Sequence, residues 1–107
     1  MPNIEANKGV ITQINVFTVK PGNQQALVDL LIESANFVKD MPGWMSASIH
    51  VSSDSGQVVN YAQSENYEAH QKIVEKLRQG GFFARNKLLA EAHPALYQVV
   101  YTLQKET

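Results

Sequence analysis

From Trp44 to Ser52 the chain alternates strictly: Met45, Ala47, Ile49 and Val51 interleave with Ser46, Ser48 and His50. A two-residue period puts successive side chains on opposite faces of a β-strand, so this segment belongs to a sheet whose two faces differ. Ser53-Asp54-Ser55-Gly56 is a turn, and Gln57 to Ser64 reads as the next strand. So short a link makes the two strands antiparallel neighbours.

The rest of the chain is organised around that hairpin. Val10 to Val19 is rich in β-branched residues and reads as a first strand, broken by Lys20-Pro21-Gly22-Asn23. The period then becomes helical, with Leu27, Leu30, Leu31, Ser34, Val38 and Met41 forming one stripe over Gln24 to Met41. That helix stops at Met41-Pro42-Gly43, because the residue before proline is pushed out of the α region. A second helix is expected over Asn66 to Gln79, with Asn66 or Ser64 as its N-cap and Gly80-Gly81 as its stop. Phe82 to Ala92 is expected to form a shorter helix, His93-Pro94 to break the chain, and Leu96 to Leu103 to form the last strand. The order β-α-β-β-α-β predicts an α+β, ferredoxin-like fold, an antiparallel sheet with both helices on one face. Residues 1–8 read as an N-terminal arm and 9–107 as a single domain.

Composition narrows the function. Nine Lys+Arg against ten Asp+Glu leave no basic excess, so nucleic acid is not an expected partner. The absence of cysteine excludes disulfides, thiolate chemistry and Cys-type zinc sites. No His or carboxylate pair has metal-ligand spacing, so no metal is expected. No apolar run approaches the roughly 20 residues of a membrane span, and the start lacks a signal-peptide pattern, so the expected location is the cytoplasm.

A three-residue hairpin loop with Gly56 in the left-handed region would pair Ser53 with Gln57. His50 then faces Asn60, Ser48 faces Ala62, and Ser46 faces Ser64. Under the helices the expected core is Leu27, Leu31, Val38, Ala47, Ile49, Tyr61 and Leu77, with Ile14, Val16, Val59 and Gln63 on the same side. The bare face would carry Gln13, Asn15, Phe17, Trp44, Ser46, Ser48, His50, Asn60 and Ser64. An uncharged face with amides, hydroxyls, two aromatics and an imidazole reads as a cavity wall rather than a solvated surface. A second copy would roof it, with Tyr97, Val99 and Tyr101 at the contact, giving a homodimer.

Four segments carry a family resemblance: Ile14 to Leu31, Met41 to His50, Val58 to Gln63 and Leu96 to Val100. Over about residues 9–104 the chain resembles the antibiotic biosynthesis monooxygenase family. The resemblance implies a dimeric α/β barrel that oxidises aromatic polyketide phenols or anthrones with O2, using neither metal nor organic cofactor. His50 matches the polar pocket residue of the family's second strand, and Asn60 the asparagine of its Val-Val-Asn-Tyr-Ala-Gln-Trp motif. Asn15 falls where a haem-degrading branch places its asparagine, and Arg85 matches a family arginine near the pocket. The implied mechanism uses His50 as the base and Asn60, helped by Asn15 or Gln13, as donor to a developing oxyanion. Phe17 and Trp44 would supply apolar surface for the flat ring. The departure is Ser64, where the family usually has tryptophan. His70 lies at the edge of the second helix's apolar stripe, and its functional reading is a haem ligand or a pocket residue replacing the lost aromatic bulk. Two alternatives follow. One is a haem-degrading enzyme on the same fold, with haem as its cofactor; the other is a non-catalytic dimeric small-molecule-binding protein, for which Ser64 is the argument.

Overall fold

A computed structural model describes residues 9–106, so the expected arm over 1–8 lies outside the described residues. The elements are β1 (Ile11–Val19), α1 (Gln24–Val38), β2 (Trp44–Val51), β3 (Gln57–Ser64), α2 (Tyr67–Gln79), α3 (Phe82–Leu89) and β4 (Ala90–Tyr97). The strands form one antiparallel sheet in the order β2-β3-β1-β4, the ferredoxin-like arrangement with a short third helix added. Among the described residues no helix is long and apolar enough to cross a membrane.

Helix α1 buries Leu27, Leu30, Leu31, Ser34 and Val38, the stripe expected from their spacing. It ends at Val38 rather than Met41, because the Met41 N–H closes a turn onto the Val38 carbonyl ahead of Pro42. Helix α2 is capped by Asn66, whose side-chain oxygen accepts from the Ala69 N–H at 2.8 Å. Glu68 in its first turn and Lys76 and Arg78 in its last complement the helix dipole. Gly43 has φ +84°, and a Cβ there would clash with Ala69 Cβ, so the absent side chain is what lets α2 start against the entry to β2.

The core cluster is Phe17, Leu27, Leu31, Val58 and Ala90, with Val19, Val28, Ile49 and Leu89 packed on it. Phe17 is 1% exposed. Its burial fixes the faces of β1: Gln13 and Asn15 lie on the helix side, while Ile14 and Val16 point outward with their partners Tyr61 and Val59. This inverts the expected assignment and removes Tyr61 from the core. Both alternate sets of β1 contain large apolar residues, so alternation alone does not choose between them.

The hairpin register also differs from expectation by one residue. The Ser52 N–H donates to the Gln57 carbonyl at 2.9 Å, which leaves a four-residue loop, Ser53 to Gly56. Ser55, not Gly56, takes the left-handed conformation (φ 65°). Asp54 Oδ1 accepts from Ser52 Oγ at 2.6 Å and from the Gly56 N–H at 2.9 Å, and these bonds hold its carboxyl below the usual range. Consequently Ile49 faces Asn60, His50 faces Val59 and Ser48 faces Tyr61. At the other end the strand bulges at Met45, which brings Trp44 opposite Ser64 and Ser46 opposite Gln63.

The last strand is Ala90–Tyr97, not Leu96 to Leu103, and α3 ends at Leu89. His93-Pro94 lies inside β4 instead of breaking the chain. Strand β4 is an edge, where a missing ladder donor is tolerated. The His93 N–H is satisfied by Asn15 Oδ1 at 3.1 Å. Beyond β4, Val100, Tyr101 and Leu103 are exposed.

Candidate functional site

Between the sheet and the helices lies a cavity of about 420 Å³. Gln13, Asn15, Phe17 and Asn60 form its sheet wall. Leu31 and Ser34 of α1, Val74 and Leu77 of α2, and Phe82, Phe83 and Asn86 of α3 form the helical wall, with Arg78 and Lys87 also lining it. A smaller void of about 50 Å³ shares Gln13, Ser34, Asn60, Val74 and Leu77 with it and continues to Trp44, Ala47, Ser64 and His70. Asn60 therefore stands at the junction of a large apolar and amide-lined space and a narrow polar end.

The polar groups are spare rather than structural. Asn60 Oδ1 is closed off from solvent and has no hydrogen-bond partner, an arrangement that native interiors rarely leave without a purpose. Asn15 uses its side-chain oxygen on the His93 N–H, so its NH2 is the end left for a ligand. Ser34, by contrast, spends its hydroxyl on the Leu31 carbonyl at 2.8 Å. His70 is half-buried, and burial pushes its imidazole below the ordinary histidine pKa, which makes the neutral, proton-accepting form dominant at neutral pH. Ser64 is buried opposite Trp44 at the narrow end.

The structure thus brings together Asn15, Phe17, Trp44, Asn60, Ser64 and His70. Two expected site residues are elsewhere. His50 is exposed on the outer face of the sheet, the face expected for it, but the one-residue change in register and the inversion of β1 put Asn60 on the helix side, so the two do not project together. Arg85 is turned to the surface, paired with Glu33 at 3.0 Å and lying 5.3 Å from the Phe82 ring centroid. Arg78 lines the cavity instead, over the Phe83 ring and ion-paired with Glu75. The expected wall also divides. Its amides and aromatics face the helices, while Ser46, Ser48 and His50 face outward, so helices rather than a second sheet roof the cavity.

Asn86, Arg78 and Lys87 did not stand out in the sequence. The signal for Asn86 was its place four residues after Phe82, one turn along the same face of a short helix, where an amide sits in line with a buried aromatic. Among the described residues no three His, Asp or Glu side chains gather as a metal site.

Known proteins share features with this chain, three of them as follows. Tetracenomycin-F1 monooxygenase of Streptomyces glaucescens is 42% identical over 64 residues, covering 59% of this chain and 57% of that protein. The match thus spans little more than half of that relative's length. SnoaB, a cofactor-independent oxygenase from Streptomyces nogalater, superposes with a TM-score of 0.81 at 19% identity, covering 91% of this chain and 99% of that one. A monooxygenase from the gene ActVA-Orf6 of Streptomyces coelicolor, solved in complex with nanaomycin D, superposes with a TM-score of 0.79 at 23% identity, covering 92% and 95%. At these identities the two structures establish a shared fold. Residues 10–76, from the start of β1 through most of α2, match the family model itself, and the chain belongs to the antibiotic biosynthesis monooxygenase family.

Proposed function

We propose that this chain is a cytoplasmic, homodimeric, cofactor-independent monooxygenase that oxidises a small polyketide-like phenol or anthrone with O2. The observation that carries the reading is the junction at Asn60, whose unpartnered amide oxygen lies at the end of an aromatic-lined cavity, where a narrow void is lined by both Asn60 and the half-buried His70. The named activities of the relatives above support it. The flat ring lies against Phe17, Phe82 and Phe83. His70 takes the proton of the acidic C–H or O–H, the side-chain NH2 groups of Asn60 and Asn15 donate to the oxyanion that develops, and Asn60 Oδ1 accepts from an adjacent substrate hydroxyl. The electron-rich anion passes one electron to O2, and the resulting radical pair combines into a peroxide anion, which becomes the hydroperoxide on protonation. His70 returns the proton, and loss of water leaves the quinone, so anthrone and O2 give anthraquinone and H2O. The substrate supplies the electrons, and the chain supplies the base, the donors and an aromatic-lined cavity.

Oxygen uptake with 1,8-dihydroxyanthrone in the presence of a chelator tests this. The expected result is one O2 consumed per quinone formed. A haemin titration that shifts the visible spectrum and leads to haem breakdown, without anthrone turnover, would select the haem-degrading alternative. Ligand binding without oxygen uptake would select the binding module.

Dimerisation rests on the outer sheet face. Ile14, Val16, Val59 and Tyr61 lie on it beside Tyr97, and the exposed Val100, Tyr101 and Leu103 follow in the chain. A second copy covers this apolar face, burying on the order of 2,000 Å² in total. Sedimentation at micromolar concentration is expected to give a dimer, and a stable monomer refutes the assembly.

A further inference from the structure

Asn86 is 8% exposed, and its Oδ1 is closed off from solvent without a hydrogen-bond partner among the described residues. Its backbone carbonyl is occupied, accepting from the Ala90 N–H that ends α3. The side chain is therefore not needed as a cap, yet it lines the large cavity between Phe82, itself buried, and the sheet. Desolvating an amide oxygen without giving it a donor is unfavourable, and a leucine of the same branching would suit the aromatic surroundings better if nothing were to bind there. The same condition holds at Asn60, on the sheet wall of the same cavity. One unsatisfied acceptor thus stands on the sheet and another on α3. A flat ligand held between them needs a hydrogen-bond donor toward each.

We infer that Asn86 is a second hydroxyl-recognising subsite, separate from the reacting end at Asn60 and His70, which selects fused aromatics bearing a hydroxyl on the edge that faces α3. This rests on the monooxygenase reading for the identity of the aromatic, but the recognition itself needs no turnover. A ligand lacking that hydroxyl leaves Asn86 Oδ1 buried and unpaired, so the subsite discriminates by penalty as well as by attraction.

The test is anaerobic equilibrium binding, read by quenching of the single tryptophan, Trp44, at the narrow end of the cavity. The probes are 2-hydroxyanthrone, whose hydroxyl lies on a lateral edge away from the carbonyl, and anthrone. The protein should bind the hydroxy compound more tightly, and Asn86→Leu should narrow the ratio of the two affinities by about tenfold, leaving anthrone within about twofold. Asn86→Asp keeps an acceptor oxygen in place and should retain the discrimination. If the leucine variant does not fold, Asn86→Ala, which has no side-chain acceptor, is measured in its place with the same expectation. Equal weakening of both probes assigns Asn86 a scaffold role and overturns the subsite, as does an unchanged ratio. Binding of neither probe overturns the subsite and the monooxygenase reading together. Discriminating binding that depends on Asn86 but is followed by no oxygen uptake sinks only the monooxygenase reading. Turnover with no Asn86-dependent discrimination sinks only the subsite.

Discussion

His70→Ala is expected to lower kcat for 1,8-dihydroxyanthrone by about 10²–10⁴-fold, the usual contribution of a positioned general base. His70 shares the narrow end of the cavity with Asn60 and Ser64, and the other two histidines are on the outer face: His50 opposite Val59, and His93 opposite Val16. Burial disfavours the imidazolium, so the folded-state pKa lies below the ordinary value. A base works unprotonated, so kcat/KM should rise with pH, reach half its maximum below pH 6.5, and be flat through neutrality. His70→Gln preserves much of the volume without the basic nitrogen and should lose a similar factor. His50→Ala, a change on the sheet face away from the cavity, should stay within about twofold at concentrations where the dimer persists. Steady-state oxygen consumption across pH measures all of these. Full activity in His70→Ala together with a large loss in His50→Ala would move the proton acceptor to the outer face and dismantle the site as described.

That contrast between His50 and His70 marks where the sequence was readable. Element order followed from period and punctuation: the stripe of α1, the Asn66 cap and the alternation of β2 were all visible, because each depends on residues close in the chain. The site depended on pairing. Whether His50 meets Asn60 turns on one residue of hairpin loop length, decided by Asp54 bridging Ser52 and Gly56 and by Ser55 accepting a left-handed φ. Local composition favoured glycine for that conformation. Strand β1 was ambiguous for another reason. It separates the cavity from a second apolar face, so Ile14 and Val16 on one side and Phe17 on the other are all suited to burial. Pro94 misled because a proline that breaks a central strand is tolerated on an edge, and edge position belongs to the sheet as a whole. The amides drawn into one uncharged set by composition were in fact a cavity wall, but it is one roofed by the chain's own helices.

Phe17→Ala is expected to destabilise the fold by about 3–5 kcal/mol, the range for truncating a buried phenylalanine. The side chain is 1% exposed and belongs to the cluster of Leu27, Leu31, Val58 and Ala90, where α1 meets three strands. Relaxation into the space is limited, since Leu27 and Val58 are fully buried beside it. A domain of this size has about 5–15 kcal/mol in total, so the variant should unfold at much lower denaturant with an unchanged slope. Ile14→Ala provides the contrast. Ile14 is on the outer face, so its cost should depend on protein concentration through the dimer, whereas that of Phe17→Ala adds a part present at every concentration. Chemical denaturation of both variants at two concentrations separates the terms. A loss below about 1 kcal/mol for Phe17→Ala would mean that β1 presents its other face to the helices. Gln13 and Asn15 would then leave the cavity with it, and the amide-lined site would no longer exist.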